Sequence, residues 1–130
     1  AHIPTFAEDD GGAYLTPQIL TNVTHDMRVM REESFGPVVG IMSVKDDSEA
    51  IRLMNDSDFG LTASVWTGDA TRAEAIADQI ETGTVFMNRA DYLDPGLCWT
   101  GCKNTGRGGG LSLIGYHNLT RPKSYHLKKA

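Results

Sequence analysis

The run Glu32-Glu33-Ser34-Phe35-Gly36-Pro37 holds the residues of this 130-residue chain best suited to gripping a ligand. A carboxylate such as Glu33 can accept two hydrogen bonds from a ribose-type diol. Phe35, two positions on, can set a flat apolar wall beside a nicotinamide-type ring. Gly36 permits close backbone approach, and Pro37 fixes the start of the strand that follows. Taken alone, these residues fit a surface glutamate and a core phenylalanine at least as well.

Other reactive side chains point less clearly to chemistry. Cys98 and Cys102 are the only thiols, with Lys103 beside the second, and a nearby ammonium can lower a thiol pKa. With His117 and His126 they contain the right elements for zinc, but their spacing matches no tight ligand-pair signature. Packing, or oxidation between the thiols, accounts for them more simply. Gly106-Arg107-Gly108-Gly109-Gly110 is not a phosphate loop, because no Gly-Lys-Ser/Thr follows, so it reads as a turn. His25-Asp26 are adjacent and read as surface. Asn88 ends a strand, where its amide can close the backbone by hydrogen bonding.

The elements that must position these groups alternate. Strands are expected around Gln18-Ile19-Leu20, over Val38–Val44, over Thr62–Thr67 and over Thr84–Asn88. Between the first two, Thr24–Glu33 reads as loop with at most a short helix. A helix from about Asp47 to Asp56 has Asp46 or Asp47 as its cap, and acids in its first turn oppose the helix dipole. The clearest helix begins after Asp69, buries Ala73, Ile76, Ala77 and Ile80, and is expected to close on a left-handed Gly83. This order predicts an α/β fold, a mostly parallel sheet with crossover helices. Residues 1–13 read as loop, and Trp66 and Met54 as core. From Arg89 to Gly115 the chain loses any period. Ser124–Lys128 is expected to form a last strand with no neighbour of its own, free to pair with another subunit, and Tyr116 and Tyr125 are weak candidates for the same contact.

In order and at proper spacing, several segments resemble the NAD(P)-dependent aldehyde dehydrogenases. The first is Arg31-Glu32-Glu33-Ser34-Phe35-Gly36-Pro37-Val38-Val39. Tyr14-Leu15-Thr16-Pro17 resembles the opening of a strand after paired glycines. Further matches are Asn55-Asp56-Ser57-Asp58-Phe59-Gly60-Leu61-Thr62-Ala63, Val65-Trp66-Thr67-Gly68-Asp69 and Gly83-Thr84-Val85-Phe86-Met87-Asn88. The last is Gly101-Cys102-Lys103-Asn104-Thr105-Gly106-Arg107-Gly108. The resemblance covers nearly the whole chain and corresponds to the C-terminal quarter of such an enzyme.

The resemblance implies that residues 1–115 are the C-terminal part of an aldehyde dehydrogenase catalytic domain, and 116–130 a terminal segment with an oligomerisation strand. It implies oxidation of an aldehyde to a carboxylic acid with NAD or NADP. The reaction would run through a thiohemiacetal on a cysteine upstream of this sequence, so this chain alone would be inactive. Glu33 would bind the nicotinamide ribose and Phe35 the ring. Trp99 stands where an aromatic lines the aldehyde tunnel, and Asn88 where a pocket-lining segment begins. The pattern also departs from the family's. Cys98-Trp99-Thr100-Gly101 replaces a proline, a phenylalanine and two glycines, which puts the substrate class in doubt. Gly109 and Gly110 replace an Arg and a Glu. An alternative is a catalytically inactive truncation acting only as a structural or interaction module.

Composition bounds the remaining classes. A formal net charge of -5 argues for solubility and gives no reason to expect a nucleic-acid partner. No apolar window approaches the length of a membrane span, and two cysteines do not suggest a disulfide-stapled secreted protein. A cytoplasmic location is expected, with an organelle matrix possible. The tail from Leu111 onward carries Arg121, Lys123, Lys128 and Lys129 without an acid, which suits a solvated terminal strand. A homo-oligomer formed through that strand is expected.

Overall fold

The computed structural model describes residues 15–130, so the loop expected over residues 1–13, and Tyr14 with it, lie outside the described residues. The chain is α/β and divides into two compact units, the first ending at Leu53 and the second beginning at Met54.

In the first unit β1 (Gln18–Thr21) pairs in parallel with β2 (Val38–Ile41), Gln18 standing opposite Val38 and Thr21 opposite Ile41. Parallel strands cannot be joined by a tight turn, and the connection here carries α1 (Arg28–Arg31), a single helical turn. Gly40 is what lets α1 seat on the strand. A Cβ there would stand 2.6 Å from Met30 Sδ and 3.2 Å from Val23 Cγ2. Val23 is buried beneath them, while Ile19, Val39 and Ile41 are exposed. The unit closes with most of α2 (Asp47–Asn55). Its start follows from local chemistry: Asp46 Oδ1 accepts the Glu49 amide at 2.8 Å, and Glu49 Oε2 accepts the Lys45 amide at 2.9 Å.

The second unit is organised on β4 (Thr62–Val65), parallel to β5 (Thr84–Met87), with α3 (Ala70–Ala77) as the crossover. Asp69 caps α3 by accepting the Arg72 amide at 3.1 Å, as its sequence predicts. Ala63, Ala73 and Ile80 form the buried core. Two small antiparallel pairs complete the unit. β3 (Phe59–Gly60) pairs with β7 (Cys102–Lys103), and β6 (Trp99–Thr100) pairs with β8 (Gly109–Gly110). Finally α4 (Ser112–Leu119) brings Gly115 against the backbone of Gly110.

Several sequence expectations need correcting. Parallel pairing with crossovers holds, but among the described residues the strands form four separate two-stranded ladders. The second strand ends at Ile41, short of Val44. Gly83 is not left-handed; among the described residues the positive-φ glycines are Gly106 and Gly108. Gly83 is needed for another reason, since a Cβ there would overlap the Thr100 carbonyl oxygen. Trp66 and Met54 are exposed rather than core, Trp66 by 69%. Residues 112–119, within and just after the segment without a period, form α4. In α4 the polar Ser112, His117 and Asn118 are scattered among apolar residues, so no amphipathic stripe announces it. Ser124–Lys128 takes no strand form within the described residues.

Two alanine substitutions separate close approach from conformational freedom. Gly83→Ala is expected to lower unfolding free energy by about 2–4 kcal/mol, the cost of overpacking against backbone. Gly68→Ala, which meets nothing within 4 Å, should change it by less than about 0.5 kcal/mol. Urea titration followed by circular dichroism checks both. Equal midpoints for the two variants would contradict the packing of Gly83 under Thr100.

Candidate functional site

In the first unit the run from Glu32 to Pro37 spans the short link from α1 to β2. Its two ends are tied down. The Glu32 amide donates to the Arg28 carbonyl at 2.8 Å, and the Gln18 amide donates to the Pro37 carbonyl at 2.7 Å. Between these ties residues 33–36 are exposed and belong to no helix or strand. Phe35 is 93% exposed, more than any other large apolar side chain among the described residues.

The two glutamates have different electrostatic fates. Arg28 reaches one helical turn forward to Glu32, donating from Nε at 2.7 Å and from its terminal nitrogen at 2.8 Å. That hydrogen bond, with the charge attraction behind it, holds the Glu32 carboxyl below its ordinary pKa and raises that of Arg28. Glu33 takes no part in the pairing and stands exposed beside Phe35. Of two adjacent carboxylates, the one expected to bind a ligand is thus the one without an intramolecular partner among the described residues. The structure brings Glu33 and Phe35 together on one exposed link.

In the second unit Asn88 follows β5, whereas Trp99 lies on β6. Asn88 follows β5 with φ 53°, a left-handed conformation that asparagine tolerates. Its side chain clasps Thr67, past the end of β4. Oδ1 accepts the Thr67 amide at 2.9 Å, and Nδ2 donates to the Thr67 carbonyl at 2.8 Å. Asn88 therefore ties the carboxyl ends of the parallel pair together. Trp99, half-buried on β6, stands opposite Gly110 on β8. It borders an open groove of about 440 Å³, shared with Leu61, Arg107, the glycine run and Asn118. The Thr100 hydroxyl and the Asn118 amide hold that run by donating to the Gly108 and Gly109 carbonyls at 2.8 and 2.6 Å.

The thiols are free and half-buried. Cys98 Sγ lies against Gly109, where a Cβ would come within 2.6 Å of it. Lys103 is not turned to chemistry with Cys102. Its ammonium donates to the Asn55 carbonyl at 2.6 Å and pairs with Glu81 at 2.9 Å. Sequence reasoning missed one more group, the guanidinium of Arg89, which lies 3.8 Å from the centroid of the Tyr92 ring. A basic residue immediately after a strand-ending asparagine was the available signal.

Comparison with known proteins places this geometry. The model of the aldehyde dehydrogenase family matches residues 3–125. An aldehyde dehydrogenase of Paenarthrobacter nicotinovorans is 45% identical over 113 residues, covering 87% of this chain and 25% of its own length. A succinate semialdehyde dehydrogenase (NAD(P)+) of Escherichia coli strain K12 is 43% identical over 108 residues, covering 83% and 23%. The crystal structure of a betaine aldehyde dehydrogenase from Staphylococcus aureus, in complex with NAD+, superposes with a TM-score of 0.79 at 34% identity. That superposition covers 82% of this chain and 21% of the other. The chain thus spans about a quarter of the length of the curated relatives it matches.

The clasp on Thr67 yields a prediction independent of any activity. Asn88→Ala is expected to cost about 2–3 kcal/mol, from two lost hydrogen bonds and a side chain strained at positive φ. Asn88→Gly keeps the backbone conformation and should cost about 1 kcal/mol less. Urea midpoints measure the order, and an alanine variant as stable as the glycine one would contradict the left-handed role.

Proposed function

The chain belongs to the aldehyde dehydrogenase family, and from that premise we propose that it serves a longer enzyme oxidising an aldehyde to a carboxylic acid with NAD or NADP. The nucleophilic cysteine, which would form the thiohemiacetal, is assigned to sequence upstream of these residues, and with it the dinucleotide-binding domain. On this reading the chain alone is inactive. One observation carries the proposal for the first unit: an unpartnered Glu33 and a bare Phe35 share one link whose ends are hydrogen-bonded in place.

That pair fits a nicotinamide dinucleotide. A free carboxylate offers the two acceptors that a ribose diol needs, and an exposed phenyl face suits a flat heteroaromatic ring. When bound, the cofactor supplies the electron-accepting carbon that the oxidation requires. Arg28, by neutralising Glu32, removes a second negative charge from beside Glu33 and so leaves one defined acceptor. Tying of the link at Arg28 and Pro37 limits the ordering cost that Glu33 and Phe35 would otherwise meet on binding.

For the second unit, Trp99 and Asn88 are assigned to the aldehyde side. Trp99 offers an aromatic wall, and Asn88 positions the loop that begins at Arg89. Residues 1–115 correspond to the C-terminal part of the catalytic domain. Residues 116–130 correspond to a terminal segment whose Ser124–Lys128 stretch becomes a strand on pairing with another subunit, giving a homo-oligomer. Among the described residues no helix is long and apolar enough to cross a membrane. A cytoplasmic enzyme with a small-molecule aldehyde as partner, and neither nucleic acid nor membrane, is the setting this proposal adopts.

Glu33→Gln in the full-length gene product tests the assignment. The expected outcome is a loss of about 10- to 100-fold in kcat/KM for the dinucleotide, the scale of one charge-assisted hydrogen bond. The urea midpoint should stay unchanged, because Glu33 forms no side-chain bond among the described residues. Loss of folded protein with unchanged cofactor kinetics would sink it.

A further inference from the structure

At the carboxyl end of the β4–β5 pair stands a cation that neither the fold nor the proposed reaction yet uses. Ligands of parallel α/β sheets gather outside the carboxyl ends of the strands. Here that end presents Trp66, 69% exposed after β4, and the loop that leaves β5 at Asn88. The loop's first residue, Arg89, is fixed from both sides. Asn88 clasps Thr67 before it, and the Ser64 hydroxyl donates to the carbonyl of Arg89 itself.

The guanidinium lies over Tyr92, 3.8 Å from the ring centroid. Stacking occupies the face of a guanidinium and leaves its N–H edge free, and that edge matches a carboxylate with two parallel hydrogen bonds. No carboxylate claims it among the described residues. Asp94, five positions on, accepts the Gly96 amide at 2.8 Å and so closes its own turn.

We propose that Arg89 selects the charge of the substrate: held on Tyr92, it receives the distal carboxylate of an ω-carboxy aldehyde, a semialdehyde, and repels a cationic one. The inference rests on the aldehyde-oxidising reading above and names its substrate class. The stack on Tyr92 presets the guanidinium before substrate arrives, so little side-chain ordering is lost on binding. A trimethylammonium aldehyde brought to the same place would meet like charge.

The test is steady-state kinetics of the full-length enzyme on three aldehydes: succinic semialdehyde, the neutral butanal and the cationic betaine aldehyde. In the wild type, kcat/KM is expected to fall in that order, with the anionic substrate ahead of butanal by about 10-fold or more. Arg89→Gln should shrink the anionic-to-neutral ratio by about 10- to 100-fold, mainly through KM. Arg89→Glu should move the preference toward betaine aldehyde. A wild-type preference for butanal or betaine aldehyde overturns the proposal. So does an Arg89→Gln variant that slows all three equally, which would mark Arg89 as structural. Either result leaves aldehyde oxidation itself intact, whereas failure to oxidise any aldehyde overturns both. Should Arg89→Gln not fold, the wild-type order alone decides.

Discussion

Three glycines govern how the second unit is put together. Gly60, Gly83 and Gly101 stand where backbones pass too closely for a Cβ: Gly60 over the Glu81 carbonyl, Gly83 over that of Thr100, and Gly101 against Thr105. Because they have no side chain, the Gly83 and Thr84 amides reach the Gly60 and Leu61 carbonyls, each at 3.1 Å, and the Gly60 amide reaches the Thr105 hydroxyl at 2.8 Å. Those bonds start β5 beside β4 in its observed register. Everything downstream inherits that register: the Asn88 side chain arrives within reach of Thr67, and Arg89 is released at the carboxyl end of the pair. Thr100, whose carbonyl rests on Gly83, holds the neighbouring Trp99 in place. Asn55 reinforces the junction, donating to the Gln79 carbonyl at 2.7 Å and accepting the Glu81 amide at 2.9 Å.

The first unit solves a simpler problem by the same means. Gly40 makes room for Met30, and α1 then fixes one end of the link that carries Glu33 and Phe35. The i,i+4 bond between Arg28 and Glu32 sorts two adjacent carboxylates into one engaged and one free. Both charges of that pair are well exposed, so it adds little to stability. Its consequence is chemical, since it engages Glu32 and leaves Glu33 outside the pair.

What the sequence revealed was local, and what it hid was long-range. The Asp69 cap, the acids opening α2 and the apolar face of α3 are set by residues three or four apart, and they stand where the pattern put them. Gly83 could be singled out as indispensable, but its reason lay 17 residues away at Thr100, beyond any helix-capping rule. Trp66 was misjudged because an apolar residue ending a strand looks like core until the strand's end proves open. α4 lacked a periodic signal, and its start at Leu111 and Ser112, both at positive φ, breaks the usual rule for a helix start. The candidate residues Glu33, Phe35, Asn88 and Trp99 all come from reading the sequence. The stack of Arg89 on Tyr92 needed coordinates, because two side chains three apart in a loop have no fixed relation.

The central claim is that these residues serve aldehyde oxidation by a nicotinamide enzyme, and one assay meets it directly. Purified full-length product is incubated with NAD+ or NADP+ and a panel of aldehydes, and reduced nicotinamide and carboxylic acid are quantified together. Equimolar formation of the two, dependent on aldehyde, is the result expected. Absence of reduced nicotinamide with every aldehyde and both dinucleotides, from a folded protein, would contradict it.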